Sequence, residues 1–312
     1  MTTPTAVVCI TPNPALDRTL TVPHLVRNAV HRADRVVEAA GGKGLNVARV
    51  LHQFGTSVLA TGPLAGPTGR LVAEHAAAAG MPSEWVWLDD GETRTSTIIV
   101  DKITSTVINE TGPSLAEGWD DLATSLLDIV RATRPQVVTV SGSYPPGVDS
   151  EDIAQFLQAL KDTGAIVWAD TSGTALSTAL DAGVGIKVNA DEANTVVKGA
   201  SAADLATALH RRTSAPAIVT DAARGAAFAT DDTVWIARAP EVEVRNATGA
   251  GDAFLAGFIS ARVGGSPWPD ALALAVAAGS ANATRVEPGI DPAAVEALRR
   301  DVRIEEQEID HD

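Results

Sequence analysis

Short apolar runs closed by turn residues recur along the chain, at 7–10, 57–61, 137–140, 166–169, 185–188 and 217–220. Their unbroken apolarity predicts strands buried on both faces. Between most of them lie Ala- and Leu-rich stretches of helical length, at 44–54, 69–79, 115–131, 150–163 and 202–212. Strands alternating with helices predict an α/β fold, a mostly parallel central sheet with helices on both faces. Two stretches break the rhythm, 17–39 and 93–109. Neither carries a helical pattern, and the second holds Thr93-Arg94-Thr95-Ser96-Thr97-Ile98-Ile99-Val100. They predict a small separate sheet covering a site, and an irregular excursion suits the pattern equally. The acidic end, 304–312, predicts a solvated tail.

Length alone, 312 residues, suggests two domains, but no linker or repeat interrupts the rhythm, so a single domain over 1–312 is expected. A composition 45% hydrophobic and only 4% aromatic suits helices packed close on a sheet. The net charge of -15 argues against a nucleic-acid partner, and any anionic ligand must be held by a few placed cations and backbone amides. Cys9, the only cysteine, sits in an apolar run as a core residue, so no internal disulfide forms and a reducing compartment is expected. With no basic n-region at the start and no apolar stretch near the ~20 residues of a membrane span, a cytoplasmic protein without a membrane partner is expected. Six scattered histidines give little support for zinc or iron.

The most informative segment is Asn246-Ala247-Thr248-Gly249-Ala250-Gly251-Asp252-Ala253-Phe254. Apolar residues follow at helical spacing, so 249–252 forms the loop and first turn of a buried helix, whose N–H groups and dipole favour an anion. Asp252 there is equally explained as a residue that merely suits a helix start. A second glycine stretch, Gly41-Gly42-Lys43-Gly44-Leu45-Asn46, also runs from loop to helix. It lacks the Ser or Thr and the glycine spacing of a P-loop, and neither stretch has the dinucleotide spacing after the first strand.

Together with Asn13-Pro14-Ala15-Leu16-Asp17, Asp170-Thr171-Ser172-Gly173 and Asn189-Ala190-Asp191-Glu192, these segments resemble the PfkB, or ribokinase-like, carbohydrate kinases in order and spacing, over roughly 6–300. Asn109-Glu110-Thr111-Gly112-Pro113 and Ser141-Gly142-Ser143-Tyr144-Pro145-Pro146-Gly147 are similar to its phosphosugar branch, which includes 1-phosphofructokinase, tagatose-6-phosphate kinase and the minor 6-phosphofructokinase.

The resemblance implies a three-layer domain with a β lid near 15–39 and 93–110, which would exclude water from the acceptor. It makes Asp252 the base, ionised at neutral pH beside N–H groups of Gly249, Ala250 and Gly251 that form an anion hole. Asp17 and Asn46 match positions that bind sugar hydroxyls, Gly41 and Gly42 letting the sugar approach. Read without the family, Asp17 is a cap or surface residue. Lys43, Arg94 and Ser141 are the matches for holding the substrate's phosphate. Asn189 and Glu192 match an element tied to Mg2+ and nucleotide phosphate, and equally make a capping box; Lys187 just before them is placed to touch ATP phosphates. Thr220, Ala223 and Gly225 resemble the turn against which ATP lies, with Asn282 facing the adenine. K+ activation occurs in the family and nothing in these residues establishes it. The implied partners are ATP, a phosphorylated ketohexose and a second copy bound through the lid. A kinase of unphosphorylated sugars or nucleosides, in which Arg94 holds no phosphate, and a silent sugar-phosphate-binding regulator stand as rivals.

Overall fold

The computed structural model describes residues 5–102 and 104–309. In chain order the first half gives β1 (Val7–Ile10), β2 (Ala15–Thr21), β3 (Arg35–Gly41), α1 (Lys43–Gln53), β4 (Val58–Leu64), α2 (Gly66–Ala78), β5 (Ser83–Trp87), β6 (Arg94–Val100), β7 (Ser105–Asn109), α3 (Trp119–Thr133) and β8 (Val137–Ser141). There follow α4 (Ser150–Asp162), β9 (Ile166–Asp170), α5 (Gly173–Asp181), β10 (Gly185–Asn189), α6 (Ala190–Val196), α7 (Ala202–Thr213) and β11 (Ala217–Thr220). The chain closes with β12 (Ala226–Thr230), β13 (Thr233–Arg238), α8 (Ala250–Val263), α9 (Trp268–Ala283), α10 (Pro292–Arg299) and β14 (Arg303–Glu308).

The main sheet has ten strands in the order β14-β13-β12-β11-β10-β9-β8-β1-β4-β5. From β5 to β11 neighbouring strands run parallel; β12, β13 and β14 add an antiparallel edge. Side chains alternate between faces along a strand, so β1 sends Val7 and Cys9 into one core and Val8 and Ile10 into the other. The first core is closed by α1, α2, α8, α9 and α10, the second by α3, α4, α5 and α7. This is the expected three-layer α/β architecture. Cys9 is fully buried, and burial pushes its thiol up to about 12, which makes it inert at neutral pH.

The two aperiodic stretches pair into a separate four-stranded sheet, β3-β2-β6-β7. β2 lies parallel to β6 with Ala15 beside Arg94, and antiparallel to β3 with Asp17 beside Ala39. That separate sheet meets α2 through β2 and β3, and Arg35 on β3 pairs with Glu287 at 2.6 Å.

One expectation is corrected. The acidic end is not simply a tail: 303–308 pair with β13 as the edge strand, while 310–312 lie outside the described residues. Net charge hid the strand, because an edge exposes most side chains and charged ones there keep it from pairing further. Ile309, buried at 6% exposure, anchors its end in the core.

Candidate active site

The parallel strands bring polar residues to one side of the sheet at their carboxyl ends: Thr11 after β1, Ser141 on β8, Asp170 on β9, Asn189 on β10 and Thr220 on β11. Open α/β sheets place ligands there. The buried hydroxyls of Thr11, Ser141 and Thr171 have no hydrogen-bond partner among the described residues, which marks a site built for a further polar group.

Asp170 is fully buried and accepts from Lys43 Nζ at Oδ1 and Lys187 Nζ at Oδ2, each at 2.7 Å. Burial alone would raise its carboxyl, but Lys187 and Lys43 outweigh burial and hold it below the usual range. Asp170 in turn lifts the Lys43 ammonium above its ordinary value, against burial. Lys43 is therefore charged. Lys187 also reaches the next element, since a Cβ on Gly251 would lie 2.6 Å from its Nζ. Only glycine at 251 lets this ammonium rest on the first turn of α8.

Gly249 enters α8 in the left-handed conformation, φ 81°, with no side-chain cap. The turn it makes carries the Ala250 N–H back to the Ala247 carbonyl at 3.2 Å. Of the three amides expected to form an anion hole, that of Ala250 is thus already engaged. Gly251 and Asp252 follow Ala250 in the first turn of α8, where helix N–H groups have no intrahelical acceptor.

Asp252 is 6% exposed and accepts from Asn46 Nδ2 at 2.9 Å. Its carboxyl is raised by burial and by Asp170, against the pull of Lys187, Lys43 and the Asn46 hydrogen bond. The N–H groups of the helix start were expected to keep this acid ionised at neutral pH. Enclosure by packed helices works against that pull and raises the carboxyl from its ordinary value.

On the lid side, Asp17 and Gly41 meet differently from expectation. A Cβ on Gly41 would overlap the Asp17 carboxylate, and one on Gly42 would crowd Thr11 at 2.9 Å. The space beside these glycines is occupied by the Asp17 carboxylate and the Thr11 methyl group. Arg94 donates from Nε to the Asn13 carbonyl at 3.1 Å and from Nη1 to the Glu110 carbonyl at 3.3 Å, so its fork is fixed at the root of the lid. Lys43 and Ser141 gather instead around Asp170, Ser141 lying beside it in the sheet.

Burial pushes the Asp17 carboxyl up to about 6, with Asp252 adding and Arg49 and Arg94 opposing. A carboxyl raised on folding holds its proton more tightly in the folded state, so between about pH 4 and pH 6 this group removes stability as the pH rises. Asp17→Asn should therefore raise Tm relative to wild type more at pH 7.5 than at pH 4.5, as read by calorimetry. An equal shift at both would contradict the burial of this charge.

Asn189 and Glu192 form a capping box on α6: the Glu192 N–H donates to Asn189 Oδ1 at 2.8 Å and the Asn189 N–H to Glu192 Oε2 at 3.0 Å. The free oxygen of Glu192 stands 3.8 Å from Lys43 Nζ, so the cap also aims a carboxylate at the lysine cluster. Beyond it a cleft of about 480 Å3 is lined by Thr220, Ala223 and Gly225, by Pro240, Val242 and Val244, and by Gly251, Gly279 and Ser280. Its size and apolar walls suit a nucleotide. Asn282 does not line it. It is buried, donating to the Gly289 carbonyl at 3.2 Å. On α9 the residues at i, i+3, i+4 and i+7, namely Val276, Gly279, Ser280 and Ala283, share the cleft face, and position 282 turns away.

Two central residues escaped the candidate set. Asp170 was visible as a polar residue ending an apolar strand, and Arg49 as a cation four positions past Leu45 on a helix otherwise buried there; neither signal identifies a partner.

The family model described as pfkB family carbohydrate kinase matches residues 8–294. The chain belongs to the pfkB family of carbohydrate kinases. It is therefore a kinase that transfers phosphate to a sugar hydroxyl. A 1-phosphofructokinase of Haloferax volcanii is 34% identical over 277 residues, covering 86% of this chain and 88% of that protein. A 1-phosphofructokinase of Rhodobacter capsulatus is 32% identical over 293 residues, covering 90% and 91%. In fold the chain is similar to the phosphofructokinase-2 of Escherichia coli in complex with substrates and products, with a TM-score of 0.86, 23% identity, and coverage of 95% and 98%. Among the described residues no helix is long and apolar enough to cross a membrane.

Proposed function

We propose that this carbohydrate kinase uses ATP and Mg2+ to phosphorylate a ketohexose phosphate, converting fructose 1-phosphate to fructose 1,6-bisphosphate. The observation that carries the reading is the setting of Asp252, buried in the first turn of α8 between the Lys43–Asp170–Lys187 cluster and the lid residues Asp17 and Arg94. With Oδ2 held by Asn46, Asp252 Oδ1 takes the proton of the acceptor hydroxyl. The hydroxyl oxygen bonds to the terminal phosphorus as the bridging P–O bond of the nucleotide breaks and its electron pair leaves on the diphosphate. Gly251 and Asp252 N–H, with Lys187, face the charge on the transferred group. Glu192 offers the single carboxylate oxygen that, beside nucleotide phosphates and water, suits Mg2+, whose part is to neutralise phosphate charge.

Arg94, and Lys43 beside Ser141, supply the cations for the substrate's own phosphate. Between Asp17, Asn46, Gly249 and the lid remains a space of only about 20 Å3, so a sugar enters as the lid lifts. Val36, Val107 and Ile108 expose apolar surface on that lid, which supports pairing of two copies through it.

The relatives named 1-phosphofructokinase favour fructose 1-phosphate over tagatose 6-phosphate and fructose 6-phosphate, whose charges the same cations would hold. An ADP-release screen over these three, ribose and nucleosides tests the choice. Arg94→Ala should raise KM for the preferred sugar phosphate by about 10- to 100-fold, the worth of one charge-assisted contact. An unchanged KM would remove the phosphosugar reading.

A further inference from the structure

Arg49 lies on α1, one helical turn past Asn46, and its guanidinium faces inward beneath the lid. Nη1 donates to Asn46 Oδ1 at 2.6 Å and Nη2 to the Ala40 carbonyl on β3. The opposite end of the same Asn46 amide donates from Nδ2 to Asp252 Oδ2 at 2.9 Å. The three side chains form a directed relay from a permanent cation, through a neutral amide, to the carboxylate that takes the proton.

We propose that Arg49 is a positioning residue for phosphoryl transfer, fixing the Asn46 amide so that it holds Asp252 Oδ2 and leaves Oδ1 toward the acceptor hydroxyl. An amide is nearly symmetric in shape and opposite in hydrogen bonding at its two ends. Reversed, it would set its NH2 against the guanidinium and its carbonyl against the carboxylate, two repulsive contacts in place of two attractive ones. The Ala40 carbonyl fixes the plane of the guanidinium, a two-point hold that the planar fork of arginine provides and a single ammonium does not. The relay also joins a lid strand to the first turn of α8, so the carboxylate is aligned on the same framework that covers the acceptor.

The charged groups around Asp252 are Asp170, Lys187, Lys43, Asp17 and Arg49. Burial raises Asp252, and Arg49, whose guanidinium is favoured by the Asp252 charge, favours the ionised carboxylate in return. Losing the guanidinium should therefore move the acidic limb of the kcat profile to higher pH.

This inference rests on Asp252 acting as the base, and the variants separate the two. Arg49→Met should lower kcat by about 10- to 100-fold, with KM for both substrates within about threefold and the acidic limb displaced upward, as for a catalytic group turned slightly from its productive geometry. In an Asn46→Ala background the same change should cost under about threefold, because the route to Asp252 is already cut. Arg49→Lys retains the charge and guards against loss of folding, and it should stay at least about 10-fold below wild type. The proposal is overturned if folded Arg49→Lys comes within threefold of wild type, if the losses at 46 and 49 simply multiply, or if Arg49→Met changes KM alone. If Asp252→Asn itself keeps near-wild-type turnover, the base assignment falls first; if that variant is inactive and the Arg49 variants are not, only the relay falls.

Discussion

Asp252→Asn should lower kcat by about 10^2 to 10^4-fold while leaving both KM values within a few-fold. The substitution keeps the shape of the side chain and the acceptor for Asn46 Nδ2, so the packing of α8 against α1 and α9 should persist. What disappears is a carboxylate able to accept a proton at the moment the hydroxyl attacks. In the proposed reading the lysine cluster and Arg94 carry substrate binding, so KM should be spared. Steady-state ADP release at saturating substrates, with calorimetric binding of nucleotide to the variant, measures both terms. Turnover within a few-fold of wild type would assign the base elsewhere.

Asp170→Asn should be costly for a different reason. The carboxylate is fully buried and is the shared partner of Lys43 and Lys187, each at 2.7 Å. An amide of the same shape cannot neutralise two ammonium groups, and removing one partner of a buried pair costs about 3–5 kcal/mol. Lys43 is partly solvent-screened, with 36% of its side chain exposed, so the lower end of that range is expected. The folded-state carboxyl lies below its unfolded value, so its stabilisation is present at neutral pH and fades as the pH falls below about 4. The difference in Tm between wild type and variant should shrink accordingly. With Lys187 no longer held against Gly251, the variant should also lose at least about 10-fold in kcat, since misplaced charge weakens phosphoryl transfer. A variant as stable as wild type at pH 7.5 would mean that the two lysines find other anions.

The core strands and helices were legible because their signal is local. A strand such as 7–10 is apolar at every position since helices cover both faces, and 217–220 is bounded by Pro216 and Asp221; the structure starts and ends these strands as expected. The lid was half legible: its Thr- and Ile-rich stretches indicated strands, but the parallel pairing of β2 with β6 joins positions 79 apart and has no local mark. β14 was missed because its charges reflect an exposed edge, and pattern reading treats exposure and absence of structure alike.

The sequence by itself determined the alternation of parallel strands and helices through β11, the glycine-led start of α8 and the aspartate in its first turn, since turns, caps and periodicity depend on near neighbours. Tertiary structure alone decided what those residues meet. It filled the space beside Gly41 with Asp17, turned Asn282 from the nucleotide cleft, tied Lys43 to Asp170 and led Arg49 through Asn46 to Asp252. It also raised the Asp252 carboxyl, because desolvation and the charge of a residue 82 positions away depend on packing, which no local pattern encodes.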